Sequence, residues 1–377
     1  MPEVRVRTPF YEIKLEGVDI TAWVSAVTVV EDDRQADNVT LTIPDPRMIY
    51  SDALFEGSTV EVDAGYAEPN QHALMIRAII TKVESSYPEN GIPSLTLKGD
   101  DKSILMGLVE KKHIWRNLTV SNIVRQVAQA NGFRADKIQV QLNNDPMIRS
   151  KPIHQDGKTD LAFLQELAKK YHAKCFIELD EQDQEVLYFI PERRIVKLRR
   201  PDKLVLSYRV GPTSNLTSFS PSFDSSYIDR LKEVSDVDTK GNKVQSQDKP
   251  PTEVVIWQLD PILTAQANTQ DRSKIHTLYD KGSTRKQELQ KKLVAKHLAV
   301  GEVAADQADI ESTDDTLESR RLGMTASGST FGNIWLRAKS NIFIDGVNER
   351  FNGEWYVSTV THKLDSGGYK TDFKCVR

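Results

Sequence analysis

The run Asn38-Val39-Thr40-Leu41-Thr42-Ile43 changes between polar and apolar at every residue. Neighbouring side chains on a strand point to opposite faces, so a period of two marks a half-buried strand. The pattern extends outward on both sides: Pro9 to Leu15 and Val24 to Val30 lie before it, and Thr59 to Ala64, Leu74 to Val83 and Ser94 to Leu97 lie after it. Glu16-Gly17, Pro44-Asp45-Pro46, Glu68-Pro69-Asn70 and Pro88-Glu89-Asn90-Gly91 separate the strands, and each is a turn signal with its own backbone reason. Strands so evenly spaced, with no helix between them, predict a small barrel or sandwich over residues 8–100.

From about residue 101 the period lengthens. Thr119 or Ser121 can cap a helix whose Ile123, Val124, Val127 and Ala128 share a face, and Asn131-Gly132 supplies a left-handed stop. A second helix starts at Thr159 or Asp160, runs through Leu161, Phe163, Leu164, Leu167 and Ala168, and ends on Lys169 and Lys170, whose charges suit the C-terminal dipole. Cys175 to Leu179 and Val186 to Ile190 follow as a hairpin across the acidic link Asp180 to Gln184. Residues 101–195 therefore predict an α+β unit.

Strand character returns at Lys203 to Arg209 and Tyr227 to Val237, with a turn at Gly241-Asn242 and a polar stretch from Gln245 to Glu253. Residues 259–284 have weak periodicity and read as loop, whereas Arg285 to Val300 reads as a surface helix with Leu289, Leu293 and Leu298 on a modest stripe. Gly323 to Gly332 reads as a flexible connector. The end is strand-dense: Ile334 to Arg337, Asn341 to Ile344, Trp355 to His362 and Tyr369 to Val376, with Asp365-Ser366-Gly367-Gly368 as a hairpin turn. The fold class expected is a β-rich α+β protein with an insertion in its second β region.

The 377 residues correspond to about two to four folding units at roughly 100–200 residues each. With 28% charged and 39% hydrophobic residues the composition is that of a soluble globular protein, which excludes disorder, collagen and coiled-coil filaments. Fifty basic against 54 acidic residues leave a net charge of -4, too near neutral for a protein that coats a polyanion. Cys175 and Cys375 are too few and too far apart for a disulfide framework, and a reducing compartment fits. Met1 to Phe10 carries no readable secretory signal, and no run approaches the roughly 18 apolar residues of a membrane helix. Folding in the cytoplasm without a membrane anchor is expected.

Chemistry-bearing patterns are sparse. His72, His113, His154, His172, His276, His297 and His362 fall in no zinc motif; His172 and Cys175 are the one close pair of soft ligands, and a junction residue pair outweighs a metal site there. Ser327 and Ser329 lie near glycines without forming a nucleophile elbow, and Lys281-Gly282-Ser283-Thr284 is only a fragment of a phosphate cradle. Asp32-Asp33, Asp100-Asp101 and Asp314-Asp315 are adjacent, so on a strand they face opposite ways, and a solvated surface is the expectation for all three pairs. The densest basic run, Arg193-Arg194, Lys197, Arg199-Arg200 and Lys203, lacks the aromatic interleaving of single-strand binders. No catalytic, cofactor-binding or metal residue is expected, and no cofactor.

Four segments in register carry a resemblance. Gly17-Val18-Asp19-Ile20-Thr21 with Val27-Thr28-Val29 and Asn38 to Ile43; Asp160 to Ala168 leading into a strand pair; Ser214-Asn215-Leu216-Thr217-Ser218-Phe219-Ser220-Pro221; and Phe351 to His362 through Gly368-Tyr369-Lys370-Thr371 resemble the baseplate hub family of contractile tails, the phage late control gene D proteins. The chain is also similar to the N-terminal part of type VI secretion spike proteins. The resemblance implies a non-enzymatic homotrimer in which each chain supplies two tail-tube-like β-barrels, adapting the sixfold tail tube to a threefold central spike. It places the first barrel at 1–104, the α+β domain at 105–200, the second barrel at 201–240 and 321–377, and an insertion with a helix at 241–320. His362 sits in the family pattern as a structural residue.

The implied partners are the central spike protein, the tail tube or a tube-initiator protein and other baseplate proteins, with DNA passing a weakly negative channel without specific binding. The implied location is the host cytoplasm during assembly, then the virion baseplate or an equivalent extracellular contractile particle. The chain carries no oligosaccharide-binding barrel, needle repeat or lysozyme-like domain, so the spike is expected to be a separate chain. Two other readings stand beside this one. One is a tail-associated cell-wall-degrading enzyme. The other is a host-glycan-binding module using Trp257, Trp335 and Trp355 as stacking platforms, although tryptophans in β-rich proteins are expected to be at least half buried.

Overall fold

In a computed structural model of the chain, Asn38–Pro44 is a strand in which Val39, Leu41 and Ile43 are fully buried and the residues between them half-buried. The structure describes residues 8–68, 71–142, 145, 147–148, 152–171, 173–191, 194–195, 204–208, 214–223, 232–237, 243–245, 258–259, 261–294, 298–304 and 323–377. Its chain divides into two compact units, one of residues 1–219, 327–342 and 356–375, the other of 220–326, 343–355 and 376–377.

The N-terminal strands form as read. They are β1 (Pro9–Leu15), the two-residue β2 (Val18–Asp19), β3 (Ala26–Asp32), β4 (Asn38–Pro44), β5 (Thr59–Tyr66), β6 (His72–Ser86) and β7 (Ser94–Asp100). Their inward residues build one core around Ile13, Val29, Leu41, Val62, Ile80 and Leu97.

After β7 a 3-10 turn, Lys102–Gly107, leads to β8 (Glu110–Trp115), α1 (Val120–Ala130), β9 (Ile138–Val140), β10 (Ile153–Thr159), α2 (Asp160–Lys170), β11 (Ala173–Leu179) and β12 (Glu185–Pro191). Both caps are threonines: Thr119 Oγ1 accepts from the Asn122 N–H at 3.3 Å and Thr159 Oγ1 from the Ala162 N–H at 3.2 Å. Each satisfies a donor that the helix start leaves unpaired. The apolar faces of α1 and α2 close a second core with Trp115, Ile177, Leu187 and Phe189. β11 and β12 form the expected antiparallel hairpin, and β9 pairs parallel with β12.

The remaining strands are β13 (Leu204–Ser207), β14 (Leu216–Phe223), β15 (Lys232–Val237), β16 (Lys243–Gln245), β17 (Leu298–Ala304), β18 (Met324–Phe331), β19 (Ser340–Asp345), β20 (Gly353–Asp365) and β21 (Gly368–Val376). One large sheet runs β14-β18-β21-β20-β3-β4-β7-β6-β5-β1-β2, with β19 on β20 and β13 on β19. N-terminal and C-terminal strands meet at β20 and β3, paired antiparallel from Thr359↔Asp32 to Leu364↔Val27. The expected two-barrel arrangement is not confirmed in the single chain: the strands share one sheet, and no closed barrel is found among the described residues. A strand from either end can supply the edge that the other needs, because ladder bonds depend on backbone position and not on sequence separation.

Three local expectations are corrected. Residues read as loop at 259–284 fall largely in two helices, Pro261–Gln266 and Thr269–Val294, and the second stops before Val300; Leu298–Ala304 is strand. The missed start signal is Asn268, whose Oδ1 accepts from the Asp271 N–H at 2.9 Å. The supposed connector at 323–332 is mostly strand β18, and its glycines serve close packing instead of freedom. A Cβ at Gly328 would lie 2.4 Å from Phe373 Cζ, and one at Gly332 would lie 2.0 Å from Tyr369 Cγ. Ile334 to Arg337 is a turn, not a strand. The Gly241-Asn242 turn, the basic run apart from Arg194, and residues 246–253 lie outside the described residues.

Candidate functional site

On β3 the inward positions read Val27, Val29, Glu31, so a carboxylate stands where the period demands a core residue, and it is 1% exposed. Burying it unpaired would be costly. The turn between β18 and β19 brings the partner: Arg337 Nε pairs with Glu31 Oε1, while Glu31 Oε2 accepts from the Ala338 N–H at 3.0 Å. Arg337 Nη2 also donates to the Met75 carbonyl at 3.1 Å and lies 3.5 Å from Glu178 Oε1 on β11.

Two residues on, Lys339 is fully buried. Its Nζ donates to both oxygens of Asp37, at 3.0 and 2.9 Å, lies 3.7 Å from Glu178 Oε2 and sits 5.0 Å above the Phe176 ring. Lys174 of β11 pairs with Asp33 Oδ2 at 2.9 Å, and the Tyr356 hydroxyl donates to the same oxygen at 3.3 Å. Asp101, just past β7, accepts from the Asp37 N–H at 2.8 Å and the Ser103 N–H at 2.7 Å, and its own N–H donates to the Asp37 carbonyl at 2.8 Å.

The cluster thus gathers five carboxylates, Glu31, Asp33, Asp37, Asp101 and Glu178, around three cations, Lys174, Arg337 and Lys339. Burial pushes the Asp37 carboxyl up to about 6, against the pull of Lys339 and with the help of Glu31 and Asp101. Asp101 is raised by burial as well, opposed by its hydrogen bonds from Ser103 and Asp37. Such a cluster adds little stability over an apolar core of the same shape, but it penalises any packing that separates its members. Its chemistry is charge pairing and proton uptake. It ties β3, the β3–β4 turn, the start of the α+β layer, β11 and the β18–β19 turn together.

No family model and no curated protein matches the chain by sequence. By structure the chain is similar to the tail protein from Neisseria meningitidis MC58, with a TM-score of 0.62 at 13% identity, covering 98% of this chain and 96% of that one. The fold is that of a phage tail protein. A 43 kDa tail protein of prophage MuSo2 from Shewanella oneidensis matches with a TM-score of 0.63 at 13% identity over 98% of both chains. A type VI secretion component from E. coli, itself structurally similar to the T4 bacteriophage tail proteins gp27 and gp5, matches with a TM-score of 0.57 at 11% identity over 97% of this chain and 76% of that one.

Within this tail-protein fold the expected solvated carboxylate pairs are corrected at two places. Asp33 and Asp101 are buried while Asp32 and Asp100 are half-buried, because the alternation of faces along β3 and β7 carries on to the first residue past each strand, and the inward face here is charged. Asp314-Asp315 lies outside the described residues. His362 is structural as expected: it is fully buried, its Nδ1 lies 2.8 Å from the Tyr369 hydroxyl and 3.3 Å from Thr371 Oγ1, and burial pushes it down to about 4, so it is neutral. The other described histidines are dispersed: His72 pairs with Asp63 at 2.9 Å, His113 lies against Trp115, His154 is on β10 and His276 on the helix Thr269–Val294. His172 and His297 are outside the described residues.

No group of three or more His, Cys, Asp or Glu is arranged to hold a metal among the described residues. Ser329 Oγ donates to Asp372 Oδ1 at 2.5 Å, and Asp372 is further held by Lys363 and Lys370 at 3.0 Å each. Burial pushes the Cys175 thiol up to about 12 and raises Cys375 too, so both hold their protons at neutral pH. Trp355 is fully buried, Trp335 is 50% exposed, and Trp257 lies outside the described residues. Sequence reasoning singled out neither Glu31, Arg337, Lys339 nor Glu178; the one signal available was Glu31 continuing the inward parity of Val27 and Val29. No described helix is long and apolar enough to cross a membrane.

Proposed function

We propose that this chain is a structural baseplate hub protein of a contractile tail, a trimer whose ring adapts the sixfold tail tube to the threefold central spike. The observation that carries the reading is the similarity of nearly the whole chain, end to end, to phage tail proteins and a type VI secretion component. A trimer of chains that each present two similar β surfaces meets a sixfold ring with three copies. In this reading residues 1–104 and residues 201–240 with 321–377 complete the two tube-type barrels in the assembled ring, where strand edges open in one chain are covered by the next. Residues 105–200 and 241–320 are then the additions that distinguish a hub from a plain tube subunit. The partners are the spike, the tube or its initiator and other baseplate proteins, and DNA passes through without specific contacts. Assembly takes place in the host cytoplasm and the finished ring resides in the tail baseplate. The role is scaffolding, not turnover.

Light scattering coupled to size exclusion, followed by negative-stain microscopy with and without a candidate spike protein, tests the reading. Three copies per particle and a ring with a central hole are expected. A monomer at high concentration that forms no ring even with the spike overturns it.

A further inference from the structure

The chain leaves the large sheet for the α+β layer at one residue. β7 ends at Asp100, Asp101 caps the 3-10 turn Lys102–Gly107, and Met106 of that turn enters the second core. Asp101 is held there by a reciprocal pair of bonds with Asp37: each donates its N–H, one to a carboxylate and the other to a carbonyl. Every cation in reach is engaged elsewhere. Arg337 is on Glu31, Lys174 on Asp33, and Lys339 is shared between Asp37 and Glu178. Asp101 has two N–H donors and makes no ion pair with any of the three cations. A pocket lined by Gln35, Asp101, Ser103, Gln165 and Cys175 lies alongside.

We propose that the Asp37–Asp101 pair is a proton-operated latch at this exit, tight while the pair holds a proton and loosened when the proton is lost. The groups that face it are Glu31 and Asp32 from β3, Asp33 just past it, Arg337 and Lys339 from the β18–β19 turn, Lys174, Cys175 and Glu178 from β11, and Tyr356 and His362 from β20. Taken together they leave more buried carboxylate than buried cation, so a proton taken up here lowers the excess. With both aspartates ionised, their repulsion falls on the turn Lys102–Gly107, which carries the chain from the sheet into the α+β layer, and on β11, whose Lys174 and Glu178 belong to the cluster. The raised proton affinity of Asp37 puts the change near pH 6, and burial shifts Asp101 in the same direction. An affinity raised in the closed state means that opening becomes easier as pH rises through that range and levels off above it.

Hydrogen exchange of the full chain at pH 5.5 and 7.5, corrected for the intrinsic rate, reads the latch directly. Protection of Lys102–Gly107 and of β11 is expected to fall roughly fourfold at the higher pH, while β1 and β5, which contribute nothing to the cluster, hold theirs. In Asp37→Asn the pH dependence is expected to vanish. Protection that does not change with pH, or that changes equally in Asp37→Asn, overturns the proposal. Should Asp37→Asn fail to fold, a carboxyl-carbon NMR titration of the wild-type chain decides: an aspartate midpoint near 6 supports the latch, and midpoints in the ordinary carboxylate range for every aspartate refute it.

Discussion

Replacing Lys339 with methionine removes a charge and keeps most of the side-chain volume. The lysine is 0% exposed, and its Nζ is shared between two Asp37 oxygens at 3.0 and 2.9 Å and a Glu178 oxygen at 3.7 Å. Breaking a buried pair by deleting one partner costs about 3–5 kcal/mol, because the other charge stays buried without compensation. For a unit of this size that corresponds to a fall in Tm of roughly 10 °C. The loss should shrink at pH 5, where Asp37 escapes by taking up a proton.

The double substitution Lys339→Met with Asp37→Asn is expected to recover about 2 kcal/mol or more of the loss at pH 7, since no uncompensated charge remains and the asparagine oxygen can still accept from the Asp32 N–H. Thermal unfolding gives the size of the effect, and hydrogen exchange of the β3 and β4 amides assigns it to the first unit. A single variant within about 1 kcal/mol of wild type, or a double variant whose loss equals the sum of the singles, would refute the reasoning.

The remaining predictions concern packing and pH. Gly332→Ala places a methyl 2.0 Å from Tyr369 Cγ, and the ring cannot retreat because it is 7% exposed and bonded to His362; a loss of about 3 kcal/mol is expected in urea unfolding. His362, held near 4 against an ordinary 6.5, is neutral in the fold, so its contribution is complete above pH 6.5 and is lost as pH falls toward 4, by about 3 kcal/mol. Asp37 runs in the opposite sense over pH 4 to 6, so the wild-type urea midpoint should be nearly level there. Asp37→Asn should uncover a steep loss on acidification, and His362→Gln should leave the opposite slope.

Much of the architecture was legible in the chain. The strict alternation at 38–43, the threonine caps before residues 120 and 160 and the hairpin at 173–191 are local signals, carried by side-chain parity and by donors that a helix start must satisfy. The resemblance to hub proteins rested on such signals in order, and the structural neighbours are tail proteins although they share only 13% of residues. The long helix at 269–294 was missed because its apolar stripe is thin, so periodicity failed and only the Asn268 cap announced it.

Composition, strand parity and capping by themselves determined a β-rich α+β chain with its helices near residues 120–130 and 160–170, and they determined that no familiar catalytic motif is present. Tertiary structure alone decided which strands share the large sheet and which charges lie inside it. Glu31, Asp37, Asp101, Glu178, Arg337 and Lys339 are scattered over some three hundred positions, and apart from the inward parity of Glu31 each looks like an ordinary surface residue in its own window. Whether a charged side chain is solvated or buried depends on what the rest of the fold brings against it. That information belongs to the pairing of β20 with β3 and the turn that β18 delivers, and to no local stretch of the chain.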